Sequence, residues 1–181
     1  MLRDTPSTVF LKDYRPPAFL INAVELHFEL GEEQTLVRSR LSIRRNPKSV
    51  DSAVDLELQG EQLSLVSLSL DGVELSAERF NIDGEGLRVR SVPDSFILTS
   101  EVIIKPQENT ALEGLYKSGS MFCTQCEAEG FRKITWFLDR PDVMAIFSTT
   151  IVADSHHYPV LLSNGNLIEQ QTLADGQQQV R

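Results

Sequence analysis

Positive charge is scarce in this sequence of 181 residues, which has 17 Lys and Arg against 26 Asp and Glu and a formal charge of -9. Because a nucleic-acid-binding surface needs clustered Lys and Arg, this balance argues against a nucleic-acid partner. No apolar run approaches the roughly 20 residues that cross a bilayer, so we expect no membrane partner. The N-terminus lacks the layout of a signal peptide and there are only two cysteines, which together favour the cytoplasm.

The common catalytic and metal-binding motifs are missing as well. The chain has three histidines and no H-E-x-x-H zinc helix, G-x-S-x-G nucleophile elbow or phosphate-binding glycine loop. Cys123-x-x-Cys126 lacks the further ligands of a zinc knuckle, and in an extended segment the two thiols would lie on opposite faces, so we expect free cysteines that pack as small hydrophobic residues. His156 and His157, to which we assign no carboxylate partner, suit a turn as well as a metal site. The residues alone predict no catalytic and no metal-ligating residue in this chain.

What the sequence does contain is alternation of apolar and polar residues, which begins near Leu20 and predicts strands. Two such runs lie on either side of residues 31–34. A hairpin about this loop places apolar residues on one face and opposite charges on the other, with three cross-strand pairs: Phe28 with Val37, Val24 with Leu41 and Glu25 with Arg40. Agreement of both faces in one register is better support for the hairpin than either face alone.

A second hairpin is predicted at Asp71-Gly72, a two-residue turn that puts Leu70 opposite Val73. The apolar phase slips near Val66, as it would at a β-bulge. The remaining strand-like runs cover residues 54–58, 87–89, 96–104, 146–152, 158–162 and 177–181, with turn residues at 84–86, 164–165 and 175–176.

Many short strands without a helical period predict an all-β fold, an antiparallel β-sandwich. We divide the chain into an N-terminal arm or lead-in strand at residues 1–17 and one β-sandwich domain at residues 18–181. The main exception is a short helical turn expected at residues 141–145, where Pro141 follows Asp139. Because the last strand has no polar tail, we expect the chain to be a fragment of a longer polypeptide.

The pair Gln125 and Glu127 is the strongest candidate for a binding site. In an extended segment both residues project from one face, where an amide and a carboxylate offer acceptors and charge to a primary ammonium. Two alternatives remain open: a solvated strand face, or a local ion pair of this face with Arg132 or Lys133.

Five segments together resemble one protein family, and their order and spacing match over nearly the whole chain. They are residues 12–17 (KDYRPP), 111–116 (ALEGLY), 123–132 (CTQCEAEGFR), 138–143 (LDRPDV) and 161–166 (LLSNGN). The chain resembles the N-terminal domain of the bacterial aminopeptidase N family, which consists of zinc metallopeptidases of the gluzincin type.

The resemblance implies a saddle-shaped, mostly antiparallel β-domain that packs on a thermolysin-like catalytic domain downstream in the same polypeptide. It implies that Gln125 and Glu127 correspond to the residues that bind the α-ammonium of a peptide substrate and line its first side-chain pocket. The zinc ligands and the general base of the family belong to the catalytic domain. We therefore expect zinc in the parent enzyme, no cofactor in this chain, and no activity of the chain alone.

For the parent enzyme the resemblance implies metal-assisted hydrolysis of the first peptide bond, with the N-terminus of the peptide as the partner of this domain. A competing hypothesis is a non-catalytic β-sandwich module that binds proteins or glycans. Such a module would expose aromatic side chains on one flat face, whereas Phe28 and Phe96 are expected in the core.

Overall fold

The structure is a computed structural model that describes residues 10–49, 55–84 and 86–181. Strands dominate the described residues, in the following order: β1 (Phe19–Leu30), β2 (Thr35–Arg45), β3 (Leu56–Gln59), β4 (Ser64–Leu70), β5 (Val73–Glu74), β6 (Phe80–Asp83), β7 (Gly86–Val89), β8 (Ser95–Ile104), β9 (Gly114–Ser118), β10 (Met121–Gln125), β11 (Ile146–Asp154), β12 (Gln170–Thr172) and β13 (Gln177–Val180). Short 3-10 helices occupy Leu11–Asp13, Pro106–Glu108 and Phe131–Lys133. The predicted all-β class is confirmed. Most of the proposed arm, Val54 of the predicted strand 54–58, and Glu85 lie outside the described residues.

The strands form three sheets. An eight-stranded sheet has the order β12-β13-β11-β1-β2-β8-β4-β5, a three-stranded sheet has the order β3-β7-β6, and β9 pairs with β10 alone. Apolar side chains of the large and the three-stranded sheets belong to one core, to which Val24 and Val37 contribute from the former and Leu58 and Val89 from the latter. The two sheets therefore pack as layers around a shared interior.

The first predicted hairpin has the predicted register. β1 and β2 pair Phe28 with Val37, Val24 with Leu41 and Glu25 with Arg40. The guanidinium of Arg40 donates to the Glu25 carboxylate on the exposed face. Both faces of the hairpin are thus satisfied by the register that the alternation indicated.

The second hairpin and its bulge are also confirmed. Leu70 pairs with Val73 across a turn in which Asp71 has φ 50° and Gly72 has φ 81°. Two consecutive residues with positive φ are the mark of the tight hairpin turn for which Asp-Gly is suited. The pairing of β4 with β8 shifts between Leu65 and Ser67, where the apolar phase slips.

Three details differ from the sequence prediction. β11 lies beside β1 in parallel, with Leu26 opposite Thr149, so the large sheet is mixed rather than purely antiparallel. The predicted strand at residues 158–162 is wrong: these residues are irregular, because Pro159 cannot donate to a ladder and the neighbouring apolar residues line a groove instead. The helical turn expected at 141–145 is present only in part: one hydrogen-bonded turn forms, closed by the Val143 N–H on the Arg140 carbonyl at 3.1 Å, and residues 143–145 are irregular.

Residues 134–138 fill the space between the layers and carry the single tryptophan, Trp136, which is 2% exposed. Gly60 makes room for it, because a Cβ at that position would overlap the indole ring. A buried chain of hydroxyl groups ties the same segment to the large sheet: Thr135 Oγ1 donates to Ser39 Oγ at 2.9 Å, and Ser39 Oγ lies 2.9 Å from Ser100 Oγ. These contacts fix the segment that leads to Asp139.

No helix in the described part of the chain is long and apolar enough to span a membrane.

Candidate functional site

The β9–β10 hairpin carries Gln125 at its open end. Gln125 is the last residue of β10 and pairs with Gly114, the first residue of β9. Gly114 has φ 71°, and a Cβ there would lie 2.6 Å from the Cβ of Lys133, so only glycine permits this approach. The hairpin end therefore packs directly against the residues that follow Glu127.

The chain leaves the extended conformation after Gln125. Residues 127–130 form a turn, hereafter the Glu127 turn, in which the Gly130 N–H donates to the Cys126 carbonyl at 2.9 Å and the Glu127–Ala128 peptide is cis. The extended geometry predicted for Gln125 and Glu127 is therefore wrong. The two residues nevertheless meet, because Gln125 Nε2 donates to the Glu127 carbonyl at 3.1 Å, which fixes the amide and leaves its oxygen as an acceptor.

The carboxylate of Glu127 is exposed and makes no hydrogen bond or ion pair with the residues that the structure describes. Its basic neighbours are engaged elsewhere. Arg132 Nε donates to Asp139 Oδ2 at 2.9 Å, and Lys133 Nζ donates to Glu61 Oε2 at 2.6 Å. The alternative of a local ion pair with Arg132 or Lys133 is thus wrong for Glu127, while the alternative of a solvated carboxylate stays open.

A groove of about 790 Å³ lies beside the hairpin. Cys123, Thr124 and Cys126 line it on the side of β10, and Phe147 and Ile151 line it on the side of β11. Its lining is mostly apolar and includes several side chains that are largely exposed, among them Met121, Phe147, Val160 and Leu162. An open apolar groove of this kind is typical of a surface that another part of a protein covers.

Both cysteines are free, as predicted. Cys126 packs against the core, and burial, assisted by the nearby Asp139 carboxylate, raises the pKa of its thiol to about 11. A thiol with such a pKa is a poor nucleophile and a poor metal ligand at neutral pH. Cys126 therefore acts as a packing residue between the groove and the core.

A charged cluster stands where the groove meets the β1–β2 loop. Lys117 Nζ donates to Glu32 Oε2 at 2.6 Å and lies 5.3 Å from the centre of the Phe122 ring, while the Tyr158 hydroxyl donates to Glu32 Oε1 at 2.5 Å. The hydrogen bonds from Lys117 and Tyr158 hold the pKa of Glu32 below its usual value. This cluster fastens the turn end of the hairpin to the large sheet.

Two of the sequence segments that carried the family resemblance meet in the structure. The Tyr14 hydroxyl donates to Asp142 Oδ2 at 2.9 Å, and Arg140 Nη2 donates to the Arg15 carbonyl at 2.8 Å. Arg140 also binds Asp142 through two hydrogen bonds, at 2.9 and 2.8 Å. Separation along the chain hid this contact, which fastens the lead-in segment beside the residues after Asp139.

The residues of the described chain do not fit a catalytic zinc centre. The one grouping of possible ligands within them is Asp154, His156 and His157, all exposed. Our sequence interpretation overlooked Asp154, whose Oδ1 accepts the backbone N–H groups of both histidines at 2.9 and 2.7 Å and lies 3.1 Å from His157 Nδ1. The carboxylate thus caps a turn, whereas a catalytic zinc needs ligands held by outer hydrogen bonds in a dry cavity.

Comparison with known proteins places these features in a family. The model of the peptidase M1 N-terminal domain matches residues 19–181. Aminopeptidase N of Caulobacter vibrioides is 48% identical over 176 residues, and aminopeptidase N of Escherichia coli is 42% identical over 176 residues. Each alignment covers 97% of this chain and 20% of the relative, so the chain spans about one fifth of the length of these relatives.

Solved structures agree with this placement. The crystal structure of Legionella pneumophila aminopeptidase A in complex with aspartic acid superposes with a TM-score of 0.89 at 32% identity, over 94% of this chain and 20% of that chain. An M1 zinc metallopeptidase from Deinococcus radiodurans, solved as an E323A mutant with a Tyr-Ser-Ala substrate, has a TM-score of 0.72 at 13% identity over 92% of this chain and 39% of that chain. The second likeness bears on the fold alone.

Proposed function

Because the chain belongs to the peptidase M1 N-terminal domain family, we propose that it is the substrate-recognition domain of a zinc aminopeptidase that removes N-terminal amino acids from peptides. Its own contribution is an acceptor site for the α-ammonium group of the peptide, formed by Gln125 and Glu127. The hydrolytic chemistry belongs to a catalytic domain elsewhere in the same polypeptide, where zinc would polarise the scissile carbonyl and activate water. The chain by itself would hold no zinc and would hydrolyse no peptide.

The observation that carries this proposal is the unengaged carboxylate of Glu127 beside an amide that is already fixed. A primary ammonium has three N–H donors and one positive charge, which the Gln125 oxygen and the Glu127 carboxylate together would match. Because Gln125 is held by its bond to the Glu127 carbonyl, little side-chain entropy is lost when a ligand arrives. An ammonium held at a fixed distance from the metal selects the first peptide bond and no other.

The apolar groove supports a second part of the proposal, namely that the catalytic domain covers this face. Met121 and Phe147 are 61% and 48% exposed beside the hairpin that carries Gln125. A domain that packed on these side chains would bury apolar surface and would bring its own active site next to the Glu127 turn. The ammonium site would then lie at the seam between the two domains, which is a common location for ligand sites.

The competing hypothesis of a glycan- or protein-binding sandwich has less support. Its expected flat row of exposed aromatic side chains has few candidates, because the large aromatics exposed in the described part of the chain are Phe10, Tyr14 and Phe147. Phe28 and Phe96 are buried in the core, 7% and 4% exposed. No observation specifically favours this second function.

Substitution of Glu127 in the full-length enzyme tests the proposal. A hydrogen bond to a charged group contributes about 1.5–3 kcal/mol, so Glu127→Ala should lower kcat/KM for peptides with a free N-terminus by about tenfold to hundredfold. Gln125→Ala removes a neutral acceptor and should have a smaller effect. Glu74→Ala, at an exposed glutamate of the short edge strand β5, serves as the matched control and should leave kcat/KM unchanged. Unchanged kinetics of Glu127→Ala would show that Glu127 does not bind the ammonium group. Failure of the variant to fold would show a structural role instead.

A further inference from the structure

The Glu127 turn rests on a nearly buried ion pair between Arg132 and Asp139, which the exposed carboxylate of Glu127 does not join. Arg132 directs both its backbone N–H and its Nε to the same oxygen, Asp139 Oδ2, at 3.1 and 2.9 Å. Its Nη2 donates to the Asp139 carbonyl at 3.2 Å and lies 3.5 Å from Oε2 of Glu129, a member of the turn. One guanidinium therefore connects the turn to the segment behind it.

Asp139 is itself held by the core. Its side chain is 10% exposed, and its backbone N–H donates to Gln59 Oε1 at 3.0 Å. Gln59 belongs to β3 and also exchanges two backbone hydrogen bonds with Phe137, at 2.8 and 3.0 Å. Arg132 thus links the Glu127 turn, through the Glu129 carboxylate, to Asp139 and from there to Gln59 of the three-stranded sheet.

Close packing on the other side leaves the turn little freedom. A Cβ on Gly130 would lie 2.6 Å from the Gln125 carbonyl oxygen and 3.0 Å from the Cys126 Cα. The turn is therefore pressed against the end of β10 on one side and held by Arg132 on the other. Glu127, between them, has its backbone defined while its carboxylate stays in solvent.

Stability alone does not explain this arrangement. A buried ion pair is often no more stabilising than apolar residues of the same volume, because desolvation of both charges offsets their attraction. What a guanidinium adds is direction, since its planar set of donors accepts few arrangements of a carboxylate and a carbonyl. An ion pair that orients the turn next to the unengaged Glu127 carboxylate suits a site in which that carboxylate must contact a ligand.

We propose that Arg132 is a positioning residue that, through Asp139 and the Glu127 turn, sets the place of the Glu127 carboxylate and thereby the preference of the enzyme for a free α-amine. This inference rests on the proposed function. Arg132 itself would not contact the substrate; its effect would pass through Glu127. The effect should therefore be confined to ligands that have the amine and should vanish once Glu127 is removed.

The test uses Arg132→Lys in the full-length enzyme, because lysine keeps the charge and loses the planar set of donors. Two competitive probes are compared: leucine hydroxamate, and 4-methylpentanohydroxamic acid, which is the same molecule without the amine. Arg132→Lys should weaken the first by about fivefold or more and the second by less than about twofold. In a Glu127→Ala background the same substitution should change neither probe by more than about twofold.

Lys133→Arg is the matched control, a basic exchange in the adjacent ion pair with Glu61, and should leave the ratio of the two affinities unchanged. If Arg132→Lys proves too unstable to assay, Asp139→Asn, which keeps the shape and removes the charge, should give the same pattern. Equal weakening of both probes, or an undiminished effect of Arg132→Lys in the Glu127→Ala background, would show a merely structural role and overturn the inference. If Glu127→Ala alone leaves leucine hydroxamate binding unchanged, the proposed ammonium site fails first, and that result is distinct from the previous two.

Discussion

The buried hydroxyl chain of Ser39, Ser100 and Thr135 offers a quantitative test of how the fold holds the candidate site. The side chains of β2 and β8 meet across the large sheet at Ser39 and Ser100, and Thr135 reaches them from the segment before Asp139. The three residues are 0%, 2% and 0% exposed, so water cannot replace a lost partner. Ser39 is the central member, because it contacts both of the others.

Ser39→Ala should leave two buried hydroxyl groups without the partner they have now. Each such group costs about 1–3 kcal/mol, so the variant should lose about 2–6 kcal/mol of unfolding free energy. For a domain of this size each kcal/mol corresponds to about 2–4 °C, and the midpoint of thermal unfolding should fall by at least about 4 °C. Circular dichroism during heating, together with urea titration of this chain, measures both quantities.

The decisive comparison is with the triple variant Ser39→Ala, Ser100→Ala, Thr135→Val. This variant removes all three hydroxyl groups of the network while nearly conserving side-chain volume, so none of the three sites keeps a buried donor or acceptor without a partner. It should therefore be more stable than Ser39→Ala alone, in spite of two additional substitutions. A triple variant as unstable as the sum of its parts, or a Ser39→Ala variant with no change in midpoint, would refute this account of the network.

Two further predictions concern pH and the groove. Hydrogen bonds from Arg140, and then the one from Tyr14, lower the pKa of Asp142. The stability that this carboxylate contributes is therefore present above its unfolded pKa of about 3.9 and is lost as the pH falls through the lower folded value. Asp142→Asn should flatten the decline of the melting temperature at acidic pH, and an unaltered pH profile would count against the Arg140–Asp142 pair. In the proposed full-length enzyme, amide hydrogen exchange at residues 158–164 should be slower than in this chain alone if the proposed catalytic domain covers the groove, and equal exchange would place that domain elsewhere.

The pattern of neighbouring residues in the sequence was sufficient to predict the two hairpins. The β1–β2 register could be predicted because an offset of one residue would bury Glu25 and Arg40 and expose Val24. The hairpin at Asp71 could be predicted because the turn demands two residues that tolerate positive φ. In both cases the constraint lies within a few residues of the chain.

The remaining features depend on partners that are distant in sequence. The parallel pairing of β11 with β1 joins residues more than a hundred positions apart, and no local pattern encodes the choice of neighbour. Residues 158–162 are apolar because they line a groove and not because they enter a sheet, and alternation cannot distinguish the two. The Glu127 turn was missed for a similar reason, because Gly130 packs against Gly114 at the start of β9 as well as against Gln125.

The segments that carried the family resemblance have a physical meaning that the sequence could not reveal. Arg132 and Asp139 pair with each other beneath the Glu127 turn, and Arg140 joins the lead-in segment to the residues that follow. Most of these side chains face protein, whereas a residue that binds substrate must keep its charge free. Within the described residues the Glu127 carboxylate stays unengaged, unlike Arg132 and Asp139 beneath it, and this contrast is the reason to propose recognition for Glu127 and support for Arg132 and Asp139. If that division is correct, substitutions in the supporting residues should act only while Glu127 is present.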